Sequence, residues 1–358
     1  MTTAFWMGRR VFVTGHTGFK GGWLCIWLQR LGADVAGYAL APLTRPNLFE
    51  AANIHQGMKS NVGDVGDVAQ LTAQIHEHKP EVIFHLAAQP LVRRSYEAPL
   101  ETYATNVLGT ANVLDAVRAT EGVRAVVVVT SDKCYDLRPR RERYREDDAL
   151  GGHDPYSTSK AAAEFVVAGY RASFWGDKSV AAPAVATARS GNVIGGGDWS
   201  TDRLVPDLIA AFSRGHAAHV REPDAIRPWQ HVLDPIRGYV CLAQRLCEDD
   251  GARFAEAWNF GPPASNEQRV ADVADEAAKI WGAKAGWQRD TSEHPHEAKS
   301  LRLDSSKAAG RLGWQAQISL RGALEHTITW HRQFAAGADA RTLMIADIDA
   351  LAMHAVRS

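Results

Sequence analysis

Arg10-Val-Phe-Val-Thr14-Gly15-His-Thr-Gly18-Phe-Lys-Gly21 decides the fold. Its first half is a short run of valine and phenylalanine, the pattern of a buried strand. Glycines follow at once in a G-x-x-G-x-x-G spacing, and Phe19, Trp23, Ile26, Trp27 and Leu31 then recur at helical intervals. Strand, glycine turn and helix in that order make a dinucleotide-binding unit. Glycine lets backbone approach a pyrophosphate, and the helix start offers it unpaired N–H groups. The stretch predicts a doubly wound, mostly parallel α/β sheet of Rossmann type. Gly15, His16, Thr17, Gly18, Phe19, Lys20 and Gly21 are then the cofactor turn.

The chain beyond this unit repeats the alternation. A second strand is expected at Asp34–Leu40, with no acidic residue at its end to bind the adenosine ribose. Arg45 nearby either meets a 2′-phosphate or is a solvated loop charge, so these residues leave NAD and NADP open. A third strand from Met58 to Val62 leads into Gly63-Asp64-Val65, where Asp64 either accepts from the adenine amino group or is solvated. A fourth, Glu81–Leu86, ends in Ala87-Ala88-Gln89, small residues that let a cofactor lie against backbone. Asn106–Ala119 reads as a helix whose apolar face is Val107, Leu108, Ala111, Leu114 and Val117.

Ala125–Val129 suits the centre of a parallel sheet and runs into Thr130-Ser131-Asp132-Lys133. A hydroxyl, a carboxyl and an amine therefore sit where such sheets bind ligands. Arg138–Asp148 is densely charged without periodicity and reads as a solvated loop. A sixth strand is expected at Val185–Arg189 and a last one near Trp258–Pro262. These strands suggest a dinucleotide-binding domain over 1–190, to which the chain returns at about 227–262. A smaller C-terminal substrate-binding domain takes 191–226 and 263–358.

Asp154-Pro-Tyr-Ser-Thr-Ser-Lys160 reads as a helix start, with Asp154 as cap and Pro155 in the first turn. Tyr156 and Lys160, four residues apart, share one face. An ammonium near a phenol favours the phenolate, so the pair is expected to act as a base near neutral pH. Ala161, Phe165, Ala168 and Ala172 are expected to pack on the sheet.

Composition narrows the class. Apolar residues make up 46% and charged residues 23% of 358, which is globular rather than disordered. A net charge of −1 supplies no bulk attraction to nucleic acid or an acidic membrane. Cys25, Cys134, Cys241 and Cys247 form no C-x-x-C pair or disulfide framework. No stretch reads as a signal peptide or a membrane span, so a cytoplasmic protein is expected. His294-Pro-His-Glu297 lacks a second ligand group; it reads as a hydrogen-bonding lid loop, and no metal is expected.

Ser131, Tyr156 and Lys160 together resemble the catalytic set of the extended short-chain dehydrogenase/reductase family. The resemblance covers most of the chain: the glycine turn, Ala87-Ala88-Gln89, Asn106, Ser131-Asp132-Lys133, Tyr156 to Lys160, and Ser190 to Ile194. Within that family it is to nucleotide-sugar 4,6-dehydratases, although those often carry Asp-Glu where this chain has Asp132-Lys133. That pair, with His16 to Gly21, Arg227 to Val232 and His294 to Glu297, resembles the dehydratases of CDP-D-glucose. The resemblance implies Ser131, Asp132, Lys133, Tyr156 and Lys160 as catalytic, with Asp132 the acid and Lys133 the base of the elimination. For the cofactor it adds Asp64, Val65, Ala87, Ala88, Gln89 and Asn106 to the glycine turn, Tyr156 and Lys160. For the sugar nucleotide it implies Gln89, Ser131, Asn192, Arg203, Leu204, Arg227, His296 and Glu297. NAD is expected, because a hydride recycled in each turnover needs no reducing NADP pool. A homodimer, or a dimer of dimers, through helices at 98–119 and 156–175 is also implied. Another nucleotide-sugar 4,6-dehydratase or a 4-epimerase of the same family, and a cofactor-sensing protein without chemistry, are the alternatives.

Overall fold

The computed structural model describes residues 3–137, 142–176, 182–282, 284, 286–292 and 301–357. The strands of the main sheet are β1 (Arg10–Thr14), β2 (Asp34–Ala39), β3 (Lys59–Val62), β4 (Val82–His85), β5 (Ala125–Val129), β6 (Ala184–Ser190) and β7 (Ala257–Phe260). They lie in the order β7-β6-β5-β4-β1-β2-β3. Every neighbouring pair is parallel, with Val11 of β1 in register with Val35 on one side and Val82 on the other. The order reverses between β1 and β4, which opens a crevice at their carboxyl ends.

The period-two alternation of strand side chains builds two cores. Val11, Val13, Val82, Phe84 and Val127 face α1 (Phe19–Arg30) and α6 (Leu233–Leu246). Phe12, Ile83, Val126 and Val185 face α2 (Val68–His78), α3 (Gly109–Arg118) and α4 (Pro155–Phe174). A third apolar cluster joins α5 (Leu204–Ser213), α7 (Val270–Trp281) and α8 (Leu320–Ala335) through Leu208, Phe212, Val273, Leu324 and Trp229. The last helix, α9 (Ala340–Arg357), returns to α1, where Asp349 pairs with Arg30 at 3.1 Å. Among the described residues no helix is long and apolar enough to cross a membrane.

Three local expectations are corrected. A π-helical turn, Ala104–Leu108, precedes α3 and inserts an extra residue into the winding. The helix face rotates with it, so Leu108 is 61% exposed while Val113, Leu114 and Val117 are buried. On α4, Phe165 is exposed, as are Ala168 and Ala172. The face carrying Tyr156, Lys160, Ala163, Glu164 and Val167 is buried instead, because the polar groups of the site set the phase of the helix. In the charged stretch after β5, residues 138–141 lie outside the described residues, but Tyr144 is buried. Its ring stacks on Tyr135 at 5.0 Å and its backbone bridges to Leu303.

Candidate active site

The crevice is fastened beneath the glycine turn. Thr14 Oγ1 lies 2.7 Å from His85 Nδ1 and accepts from the N–H groups of Leu86 and Ala87. Gly15 has φ +77°, and a Cβ there would stand 2.6 Å from Ala87 N. A Cβ on Gly21 would stand 2.1 Å from Gly15 O. The chain's own packing therefore demands these two glycines. Gly18 differs: a Cβ would meet only Gly15 O, at 3.4 Å. Helix α1 starts just after it with no side-chain cap, leaving first-turn N–H groups for an anion. An open position over an uncapped helix start fits a dinucleotide pyrophosphate.

The other turn residues diverge. His16 turns towards β2 and β3: its Nε2 lies 2.7 Å from Ser60 Oγ, and its ring covers Gly37. Burial pushes this imidazole down to about 4, so it is neutral at pH 7. Thr17 Oγ1 donates to Leu40 O, Asp64 Oδ1 accepts from Gly66 N, and Val65 is buried against Gly109. Lys20 points the opposite way, donating to Ser190 Oγ at 3.0 Å and Tyr239 OH at 3.3 Å. Burial, with Arg203 and Lys160 nearby, pushes its amine down to about 7.

The second half of the site comes from the end of β5 and the start of α4. Asp154 caps α4 by accepting from Ser157 N, with Pro155 in the first turn as its sequence requires. Tyr156 and Lys160 are both buried on the same face. The expected depression of the phenol is not found: burial pushes Tyr156 up to about 12, and its hydrogen bond with Ser131 only partly opposes that. Lys160 Nζ donates to Val129 O at 3.4 Å, and burial pushes it down to about 8 against the attraction of Glu164. Desolvation of a charge outweighs the pairwise attraction that spacing alone suggests.

Asp132 is 2% exposed. Ser131 Oγ donates to its Oδ1 at 3.0 Å, while Oδ2 is buried with no hydrogen-bond partner among the described residues. Burial raises this carboxyl; Lys133, Ser131, Arg227 and Lys20 pull it down but do not restore the ordinary value. A carboxyl so placed is held towards its neutral, proton-donating form. Lys133, partly buried, donates its backbone N–H to Ser131 Oγ at 3.2 Å. Gly191 leaves the space that Asp132 uses, since a Cβ there would stand 2.7 Å from Oδ2.

Arg203 pairs with Asp198 at 3.1 Å and acts on the charges of Tyr156 and Lys20. Arg227 is buried and acts on the charge of Asp132. Asn106, in the π turn, accepts from Gln89 N and donates to Ser159 Oγ at 2.8 Å. Gln89 reaches the crevice edge with its side-chain amide bonded to Leu91 and Thr102. Leu204 opens α5, and Asn192 accepts from Gln230 N through its carbonyl. His296 and Glu297 lie outside the described residues. Sequence reading missed Ser190 and Tyr239 as partners of Lys20, and Gly191 as the neighbour of Asp132. Only the contiguity of Ser190-Gly-Asn192 with a strand end signalled Ser190 and Gly191.

Among known proteins, the chain is 49% identical to the CDP-glucose 4,6-dehydratase of Salmonella typhimurium over 337 residues, 94% of each chain. The structure of MoeE5 in complex with UDP-glucuronic acid and NAD is 27% identical, covers 90% of this chain and 99% of its own, and superposes with a TM-score of 0.76. That of a dTDP-glucose 4,6-dehydratase from Streptomyces venezuelae shares the fold at a TM-score of 0.78 with 23% identity, covering 90% and 97%. A model of the family described as GDP-mannose 4,6 dehydratase matches residues 12–327, so the chain belongs to that family.

Proposed function

We propose that this protein is an NAD-dependent CDP-D-glucose 4,6-dehydratase, a hydro-lyase that yields CDP-4-keto-6-deoxy-D-glucose and water. The observation that carries the reading is the buried carboxyl of Asp132. It is held towards its neutral form beside Lys133, one residue from Ser131 and across from Tyr156. Oxidation at C4 needs only a base for the C4 hydroxyl; elimination also needs an acid and a second base. The likeness to the Salmonella enzyme over nearly the whole chain supports the choice of CDP-D-glucose.

Tyr156 removes the C4 hydroxyl proton, steadied by Ser131 and by the ammonium of Lys160. The glycine turn and the uncapped start of α1 would hold NAD, whose positive ring would favour the phenolate and would supply a hydride acceptor for C4 and a hydride donor for C6. The new ketone acidifies C5. Lys133 takes the C5 proton, Asp132 delivers a proton to the C6 hydroxyl, and water leaves across C5 and C6; as hydride returns to C6, Lys133 gives its proton back to C5, and the proton held by Tyr156 restores Asp132. Lys133 must be neutral to take the C5 proton. Arg203 and Arg227 hold the sugar nucleotide with Asn192, Leu204, Gln89, His296 and Glu297. The nucleotide-sugar lobe is taken as 191–226 and 263–358.

A homodimer, alone or paired into a dimer of dimers, is part of the proposal. Leu100 (84%), Leu108 (61%) and Phe165 (62%) are exposed on the helices at 98–119 and 156–175, an apolar surface a second copy would cover. We place the protein in the cytoplasm, where Cys25, Cys134, Cys241 and Cys247, all unpaired, stay reduced. Incubation with CDP-D-glucose should yield an alkali-sensitive 4-keto-6-deoxy sugar. An epimerase would return CDP-galactose instead, and a cofactor-sensing protein would return the substrate.

A further inference from the structure

A buried ion pair lies directly behind the acid–base turn. Glu164 stands one helical turn beyond Lys160 on the same face of α4. Its carboxylate accepts from Arg189 Nε at 3.0 Å and Nη2 at 2.8 Å. It also accepts from Thr130 Oγ1 at 2.5 Å and Thr187 Oγ1 at 2.7 Å. Burial pushes this carboxyl up, but Arg189 and the hydroxyls outweigh it and hold Glu164 ionised below the usual range. Arg189 then donates from Nη1 to Tyr135 OH at 2.8 Å. Tyr135 OH donates onward to Asn259 Oδ1 of β7 at 2.7 Å.

Thr130 and Tyr135 bracket the turn that carries Ser131, Asp132 and Lys133. One ion pair therefore grips both ends of the turn, Thr130 through Glu164 and Tyr135 through Arg189. Between these grips, Asp132 is held through Oδ1 by Ser131, itself a residue of the turn, and its Oδ2 has no partner among the described residues, so its aim follows the turn. We propose that Glu164 and Arg189 are positioning residues that clamp the acid–base turn, and that Thr130 and Tyr135 transmit the clamp. The inference rests on the dehydratase reading and adds residues that touch no substrate.

The test uses Thr130→Val and Tyr135→Phe, each of which removes one hydroxyl and keeps the shape. Misplacing reacting groups by a fraction of an ångström should lower kcat by about 10–100-fold, with KM for CDP-D-glucose unchanged. Because C4 oxidation takes only Ser131 from the turn, whereas elimination takes both its acid and its base from it, the fraction of enzyme holding NADH at steady state should rise. Thr130→Ser keeps the hydroxyl and should restore kcat. In Glu164→Gln the alkaline limb of kcat should move to lower pH, since Lys160 loses the carboxylate that helps it stay charged. Amide exchange over 131–135 should quicken in Thr130→Val and Tyr135→Phe without any change over β1. Parent-like kcat, NADH fraction and exchange in both hydroxyl variants would overturn the clamp. A parent inert on CDP-D-glucose would instead overturn the assigned reaction, and the exchange rates would then decide the clamp alone.

Discussion

At the scale of the residue, the site contains opposed electrostatic demands, and burial decides most of them. Tyr156→Phe keeps the ring and removes the acid–base hydroxyl. It should bind CDP-D-glucose but lose at least ~10²–10⁴-fold in turnover. Near-parent turnover would move the first base elsewhere. Lys160 must be charged to assist Tyr156, so it assists below its own pKa. Activity should therefore decline as pH rises through about 8. A kcat profile flat across that range would remove Lys160's charge from the mechanism. Lys133→Met should still oxidise C4, accumulate bound NADH and stop exchange of the C5 proton with solvent deuterium. Parent-rate exchange would reduce Lys133 to an ion-pair partner of Asp132. The roles of Asp132 and Lys133 came from the resemblance, while the shared helix face of Tyr156 and Lys160 was legible in their spacing. The protonation of Tyr156 was not, because spacing reports which groups meet and says nothing of the water they lose.

At the scale of the element, β1, the glycine turn and α1 were legible because one short stretch contains every requirement of the unit. Sequence alone did not separate the three glycines. Gly15 and Gly21 are needed by the backbone packed against them, whereas a Cβ on Gly18 would meet only Gly15 O, at 3.4 Å. Gly18→Val should therefore fold with parent-like stability and lose NAD affinity, as calorimetric titration and thermal melting would show together. Tight NAD binding by the variant would place the pyrophosphate away from this turn. The helix phases misjudged at Leu108 and Phe165 have one origin. A regular 3.6-residue winding was assumed through a π turn in the first case, and apolar side chains were assumed to face inward in the second. In α4 the inward face holds a tyrosine, a lysine and a glutamate, which only the buried polar network makes tolerable.

At the scale of the whole molecule, the parallel sheet was legible strand by strand, including the return at β7. The gathering of Lys20, Ser190, Tyr239 and Asp132 was not, because it joins residues far apart along the chain that only the fold brings together. If the exposed apolar helices meet a second copy, Leu108→Glu should shift the protein towards a monomer in sedimentation. An unchanged dimer would place the interface elsewhere. The most direct test of the central claim uses CDP-D-glucose carrying deuterium at C4. The proposed cycle requires that label to leave C4, be held on the enzyme and return to C6 of the same sugar. Product with deuterium in its C6 methyl group, formed without exchange into free NADH, is the expected result. Deuterium retained at C4, or lost to the medium with C6 unlabelled, would contradict it.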